Sequence, residues 1–230
     1  MTTMTGLGTD SAHGSRSPRP TIFVVDDDSA ILDLVRRVCA PIDAQIQTFT
    51  SAKAFLSVVS ADTPGCLILD YKLPDLNGLE ILQQLQERGI ELPVVFISGK
   101  AEVSTAVQAF KLGSMDFLEK PFNIQELHDT ARRAVARDAT LRETRSRRKQ
   151  IATRIDHLTP RETQVMDLVV AGKPNKTIAA ELGVSPKTIE VHRANVMQKM
   201  QAGSLAELVQ MVMFHRGEET EGGAEAQQES

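Results

Sequence analysis

Residues 66–87 read CLILDYKLPDLNGLEILQQLQE. A short apolar run, 66–69, ends on the carboxylate of Asp70. A loop follows, and then an amphipathic stretch over 78–87. A buried strand that passes through a loop into a helix is half of a β-α-β unit. The same alternation recurs on either side. Further apolar runs occupy 21–25, 44–48, 94–97 and 116–118, and amphipathic stretches occupy 30–39, 51–59, 101–112 and 124–136. Apolar, β-branched strands alternating with helices predict a parallel sheet covered on both faces. The expected domain spans 21–136 as a doubly wound, five-stranded parallel sheet of the flavodoxin-like kind.

In such a sheet, ligands gather at the carboxyl ends of the strands. The first strand ends in Asp26-Asp27-Asp28, the third in Asp70, the fourth in Ser98, and the fifth is followed by Lys120-Pro121. A carboxylate cluster, a hydroxyl and an ammonium are therefore expected at one edge. Carboxylates crowded together suit a hard cation that prefers oxygen ligands, which points to Mg²⁺. An Asp beside such an ion can attack a phosphoryl group and form an aspartyl phosphate. Asp70 is the expected acceptor, because it stands alone facing the pair. The Lys120-Pro121 bond is expected to be cis, since an X-Pro bond turns the lysine back towards Asp70 at little cost. Each element alone has a plainer reading: the Asp triplet as a helix cap with solvated charge, Ser98 as a strand-end hydroxyl, Lys-Pro as a loop.

VVDDD (24–28), LILDYKLPDLNGLEIL (67–82), VVFISGK (94–100) and DFLEKPF (116–122) resemble, in order and spacing, the receiver domain of bacterial two-component response regulators. The resemblance covers residues 21–137. It implies that Asp70 accepts a phosphoryl group from the phosphohistidine of a sensor histidine kinase. It implies that Asp26, Asp27, Asp70 and the Lys72 carbonyl hold Mg²⁺, and that Ser98 and Lys120 contact the phosphoryl group. Phe117 falls at the aromatic switch position, where its plain alternative is core packing. That position is Phe rather than Tyr, as in many members, and Gly99 follows Ser98 where a small residue is expected.

Outside this region the composition changes. The chain has 230 residues and a net charge of −4, with 41% hydrophobic and 24% charged residues, which excludes collagen, a disulfide scaffold or a largely disordered chain. The charge is uneven: −6 over 21–136, +4 over 137–156, +2 over 157–216 and −5 over 217–230. That asymmetry suggests two different partners. Residues 1–20 read as a flexible tail, 137–156 as a basic helical linker continuing the fifth helix, and 217–230 as an acidic disordered tail. No apolar run reaches the roughly 18 residues that span a bilayer, and no secretory signal is evident, so no membrane contact and a cytoplasmic location are expected. Cys39 and Cys66 have no metal-ligand spacing and read as reduced core thiols.

From residue 157 the pattern is helical and punctuated. Thr159-Pro160-Arg161-Glu162 is a capping box with Pro at the first helical position. Gly172 and Gly183 fit helix ends, and Asn175 is expected to cap the helix that follows it. Ser185-Pro186 opens a helix to about Met200, and a last helix runs over about 204–215. Four helices so spaced fit a helix-turn-helix module, with the motif from Asn175 to Ala194. On the third helix Ile189, Val196, Met197 and Met200 share one stripe and face the core. Lys187, Val191, Ala194 and Gln198 lie opposite, flanked by Thr188, Glu190 and Asn195, a face suited to the major groove of double-stranded DNA. The plain alternative is a generic helical interaction domain. LTPRETQVMDLVVAGKPNKTIAAELGVSPKTIEVHRANVMQKM, with the rest of the match to about Phe214, resembles the LuxR/FixJ-type DNA-binding domain. The resemblance implies dimerisation through the last helix, using Leu205, Leu208, Val209, Val212 and Met213. Arg193 lies at the core edge as a candidate phosphate contact. Arg145, Arg147 and Arg148 of the linker are further candidates, or a solvated helix face.

The combined expectation is a phosphorylation-controlled transcription regulator, not an enzyme, that forms a homodimer on phosphorylation. Two alternatives stay open. An Mg²⁺-dependent phosphohydrolase would work through Asp70, but that class usually shows Asp-x-Asp, and Lys72 stands at the second position. An RNA-binding antiterminator is disfavoured by the helix-turn-helix spacing.

Overall fold

The computed structural model describes residues 19–99 and 108–217. The chain divides into two units between Leu141 and Arg142. In the first, β1 (Thr21–Val25), β2 (Gln45–Phe49), β3 (Gly65–Asp70), β4 (Val94–Ser98) and β5 (Asp116–Glu119) form one parallel sheet in the order β2-β1-β3-β4-β5. Every residue of β1, β3 and β4 is buried, whereas the edge strand β2 has none fully buried. That explains why the central strands are apolar throughout: helices cover both faces, so neither side chain direction meets water.

Alternate residues feed opposite cores. Phe23, Leu67, Leu69 and Phe96 pack on one face with Phe55 of α2 (Ala52–Leu56) and Leu82 of α3 (Gly78–Glu87). Ile22, Cys66, Ile68 and Ile97 pack on the other with Val35 of α1 (Ser29–Cys39) and Leu127 of α4 (Ile124–Asp156). The helix expected over 101–112 falls mostly outside the described residues, and only 108–111 are seen as helical. Both cysteines are free and buried, and burial pushes Cys39 up to about 11 and Cys66 higher still.

The helix after β5 does not stop at 136. α4 runs unbroken for 33 residues. Asp138, within the segment read from sequence as linker, is only 1% exposed, and it accepts the Gly65 amide at 2.7 Å. Gly65 has φ +139°, and a Cβ there would lie 1.8 Å from the Thr21 carbonyl oxygen. The start of β3 thus needs both the missing side chain and the buried carboxylate of α4.

The second unit holds α5 (Pro160–Val170), α6 (Asn175–Leu182), α7 (Pro186–Met200) and α8 (Leu205–Arg216), with Ile151 of α4 in the same core as Val165, Ile178, Ile189, Val196 and Leu208. The punctuation read from sequence is largely what ends and starts these helices. Thr159 and Glu162 form a reciprocal capping box, Ser185 caps α7, and Gly183 ends α6 in the left-handed region at φ 65°. Asn175 corrects the reading. It is the first residue of α6, behind Pro174, and that helix has no side-chain cap. Its amide oxygen instead accepts from Arg193 Nη1 at 2.7 Å, and Pro174, at φ −69°, occupies the cap position.

Glu162 does more than cap. Its side chain is 5% exposed and accepts from Lys199 Nζ at 2.6 Å as well as the Thr159 amide at 2.8 Å. The Lys199 hydrogen bond first, then the Thr159 amide, holds its carboxyl down at about 2, from an ordinary 4.5. A carboxyl depressed in the folded state stabilises above its unfolded value, and that contribution disappears as pH falls through the folded value. Glu162→Gln should therefore cost the second unit about 1–3 kcal/mol at pH 7. In urea titrations followed by the amide signals of residues 158–216, the gap from the parent chain should close between pH 4.5 and 2. A gap that is constant with pH would show that the charge contributes nothing.

Candidate functional site

The strand order reverses between β1 and β3, so the loops after these neighbours leave towards opposite faces and open a crevice at their carboxyl ends. Asp26 follows β1 directly and is fully buried; Asp70 closes β3 and is 6% exposed. Lys120, just after β5, reaches into the crevice. Its Nζ lies 2.7 Å from Asp26 Oδ2 and 3.0 Å from Asp70 Oδ1. The other Asp26 oxygen accepts the Asp28 amide at 2.9 Å, so its buried charge is satisfied on both sides. The Lys120-Pro121 bond is cis.

The predicted residues are placed differently around the crevice. Asp26, Asp27 and Asp70 come together, with one carboxylate oxygen from each lying within 4.8 Å of the others. Ser98 ends β4, 3% exposed, and its carbonyl accepts the Lys120 amide at 2.6 Å. Lys72 lies two residues past Asp70, pairs with Asn77 in an isolated bridge, and directs its amide to the Asp70 carboxylate. Asp28 stands apart: it caps α1 by accepting the Ala30 amide at 2.8 Å. Phe117 is half-buried on β5, its ring 6.5 Å from that of Phe96 in the core.

Two opposed influences set the charge of the site. Burial pushes the Asp70 carboxyl up, the Lys120 hydrogen bond and charge pull it down, and the net result lies above the ordinary value. Burial works against the Lys120 charge, but its two carboxylate partners outweigh it and hold the ammonium above the usual lysine value. The donor set is all oxygen, charged, and open on the Asp27 side, which is exposed. Such a set fits a hard divalent cation. Receiver domains typically hold Mg²⁺ in an acidic pocket, and the described residues include an acidic cluster of that composition.

Sequence reasoning missed Asp75. Its two oxygens accept the Ala52 and Lys53 amides at 3.2 and 3.0 Å, tying the loop after Asp70 to the start of α2. Nothing in the local sequence marks a partner more than twenty positions away.

On α7 the wheel is reproduced. Ile189, Val196 and Met200 are buried and Met197 half-buried, while Lys187, Glu190, Val191, Ala194 and Gln198 are exposed and Thr188 and Asn195 partly so. Lys187 pairs with Glu190 at 3.1 Å on that face. Arg193 is tied to Asn175. Arg147 and Arg148 lie over the Phe214 ring, at 4.8 and 5.4 Å from its centroid. Of the residues implied as a dimer surface, Leu208 and Val212 are 1% and 0% exposed inside the unit's own core and cannot meet a partner; Leu205 is 44% exposed, and Val209 and Met213 are partly so.

A receiver-type crevice and a helix-turn-helix define a regulator of the two-component class. Comparison with known proteins agrees. Residues 22–132 match the response regulator receiver domain, and 156–212 match the bacterial regulatory proteins of the luxR family. The chain is 40% identical over 193 residues to the transcriptional regulatory protein FixJ of Azorhizobium caulinodans, covering 84% of this chain and 92% of that protein. It is 37% identical over 190 residues to the response regulator protein TodT of Pseudomonas putida, covering 83% and 84%. The solved structure of the response regulator StyR superposes with a TM-score of 0.74 at 38% identity, covering 84% of this chain and 98% of that one. The chain belongs to the FixJ-like response regulators with a receiver domain and a LuxR-type DNA-binding domain. It is a DNA-binding response regulator of a two-component system. Among the described residues, no helix is long and apolar enough to cross a membrane.

Lys120 opposes the burial that pushes the Asp70 carboxyl up. Replacing it with Met should move the Asp70 titration further up, as read by carboxyl carbon shifts. The same variant should bind Mg²⁺ about three- to tenfold more tightly, because an ammonium no longer competes for the same oxygens. An Asp70 titration that stays in place would remove the lysine from this role.

Proposed function

We propose that Asp70 accepts a phosphoryl group from the phosphohistidine of a sensor histidine kinase, and that this controls DNA binding by the helical unit. The observation that carries this reading is the Lys120 ammonium lying between Asp26 and Asp70, with Asp27 beside them. An Asp70 oxygen attacks phosphorus, the P–O bond forms as the P–N bond breaks, and the imidazole leaves with the electron pair. Lys120 moves with the transfer, giving its charge to a phosphoryl oxygen. The Ser98 hydroxyl donates to another. Asp26, Asp27, Asp70 and the Lys72 carbonyl would hold Mg²⁺, which neutralises charge on the phosphoryl oxygens when bound.

Phosphorylation draws Ser98 towards the phosphoryl group and frees room for the half-buried Phe117 to follow. The surface of β5 and of the segment before it changes shape, and the activated chain forms a homodimer there. On DNA, α7 enters the major groove. Lys187, Thr188, Glu190, Val191, Ala194, Asn195 and Gln198 supply the groove face, in the motif from Asn175 to Ala194. The chain works in the cytoplasm as a transcription regulator, and Arg147 and Arg148 add phosphate contacts.

Asp70→Asn should abolish labelling by a kinase or by a small phosphodonor in the presence of Mg²⁺ while leaving the fold unchanged by circular dichroism; base-labile label on that variant would refute the assignment. The parent chain without Mg²⁺ should likewise remain unlabelled. Val191, 53% exposed on the groove face, reads sequence. Val191→Thr should change which operators are preferred, by about 1–3 kcal/mol at one base pair. Arg147→Gln/Arg148→Gln should weaken all sequences alike and flatten the salt dependence. Selection of binding sites from random duplexes separates the two, and an unchanged preference in the Val191 variant would take that residue off the groove.

A further inference from the structure

The chain leaves its last helix beside two arginines. Phe214, under the guanidinium groups of Arg147 and Arg148, precedes by three residues Gly217, whose left-handed φ of 75° ends α8. One helical turn therefore separates the aromatic platform from the exit point. Arg216 pairs with Asp167 and fixes that last turn against α5. On α4, Lys149 continues the exposed basic surface next to Arg148. A guanidinium stacked on a ring keeps its N–H edges free for carboxylates or phosphates.

Beyond Gly217 the charge reverses. Residues 217–230 contain five glutamates and no basic residue, with Glu218 and Glu219 first after the cap. The segment after Gly217 lies outside the described residues. We propose that this acidic segment binds, within the same chain, to the Arg147/Arg148/Lys149 surface and competes there with DNA phosphates. The competition rests on the reading of those arginines as phosphate contacts. Thirteen residues reach about 43 Å when extended, so all five glutamates can meet this surface. Tethering sets their local concentration in the millimolar range, which lets weak exposed pairs form that separate molecules would not sustain. Non-specific DNA binding then displaces glutamates as well as counterions. Operator binding uses the same arginines, so the segment lowers affinity for operator and bulk DNA alike, and the added contacts of the α7 groove face decide which duplex is still held.

The test uses the full chain, a chain ending at Gly217, and both with Arg147→Gln/Arg148→Gln. Without DNA, the side-chain N–H resonances of Arg147 and Arg148 should shift when the segment is removed. On a random-sequence 30-base-pair duplex at 50 mM salt, removal should tighten binding about 5- to 20-fold and steepen the log–log salt slope by about two. In the double-substituted background, removal should change affinity less than twofold. Unmoved arginine resonances would overturn the docking. An equal gain in both arginine backgrounds would mean general charge repulsion and would overturn it too. Shifted resonances with no loss of DNA affinity from the double substitution in the chain ending at Gly217 would overturn the phosphate contacts, and with them the competition, while leaving the docking intact.

Discussion

Lys120 lies 2.7 Å from one buried carboxylate and 3.0 Å from another, contributed by neighbouring strands and separated by 94 and 50 positions in sequence. Two carboxylates this close and this dry repel each other unless a cation stands between them. The sheet order therefore does chemical as well as structural service. Only β1 beside β3, with β5 two strands away, brings both carboxylates and the lysine to one crevice. The apolar residues of these strands fix this order, and shifting any strand by one residue would exchange its two faces and carry the group at its carboxyl end out of reach.

The second unit handles charge differently. Its best-buried ionic contact, Glu162 with Lys199, joins the first turn of α5 to the last of α7 and acts on stability. On the groove face, Lys187 is spent on Glu190 in a solvent-exposed pair worth little in itself. Shape and small side chains, rather than charge, make that face approachable. The dense positive charge sits instead on α4, around Phe214. Sequence reading and phosphate attraction are thus assigned to different helices of one unit.

How much was legible depended on whether the deciding contact was local. Strand identity came from apolar runs, and the capping boxes and Pro-opened helices came from neighbours three residues apart, so these were readable. The Asp26, Asp70 and Lys120 convergence was readable because a parallel sheet places strand ends in one layer whatever lies between them. The roles of Asp138, Asp75 and Asn175 were not. Each depends on contacts far off in sequence, 73 positions for Asp138, 23 and 22 for Asp75 and 18 for Asn175, and nothing local distinguishes a carboxylate that will be buried from one that will be solvated. Leu208 and Val212 failed for a related reason: an apolar stripe on α8 reports burial but not whether its own unit or a second chain provides it.

The Asp triplet shows how far backbone direction alone can separate identical side chains. Asp26 still follows the strand and points into the crevice, where Lys120 and the Asp28 amide saturate it. Asp28 has already turned towards α1, and at φ −86° and ψ 110° its carboxylate reaches back to the Ala30 amide. Asp27, between them, is exposed, yet its oxygen stays within 4.8 Å of those of Asp26 and Asp70. A buried anchor, a helix cap and an exposed carboxylate follow from three consecutive steps of one turn. Of the three, only Asp27 is left with a carboxylate uncommitted by any described hydrogen bond, whereas Asp26 and Asp70 already share theirs with Lys120.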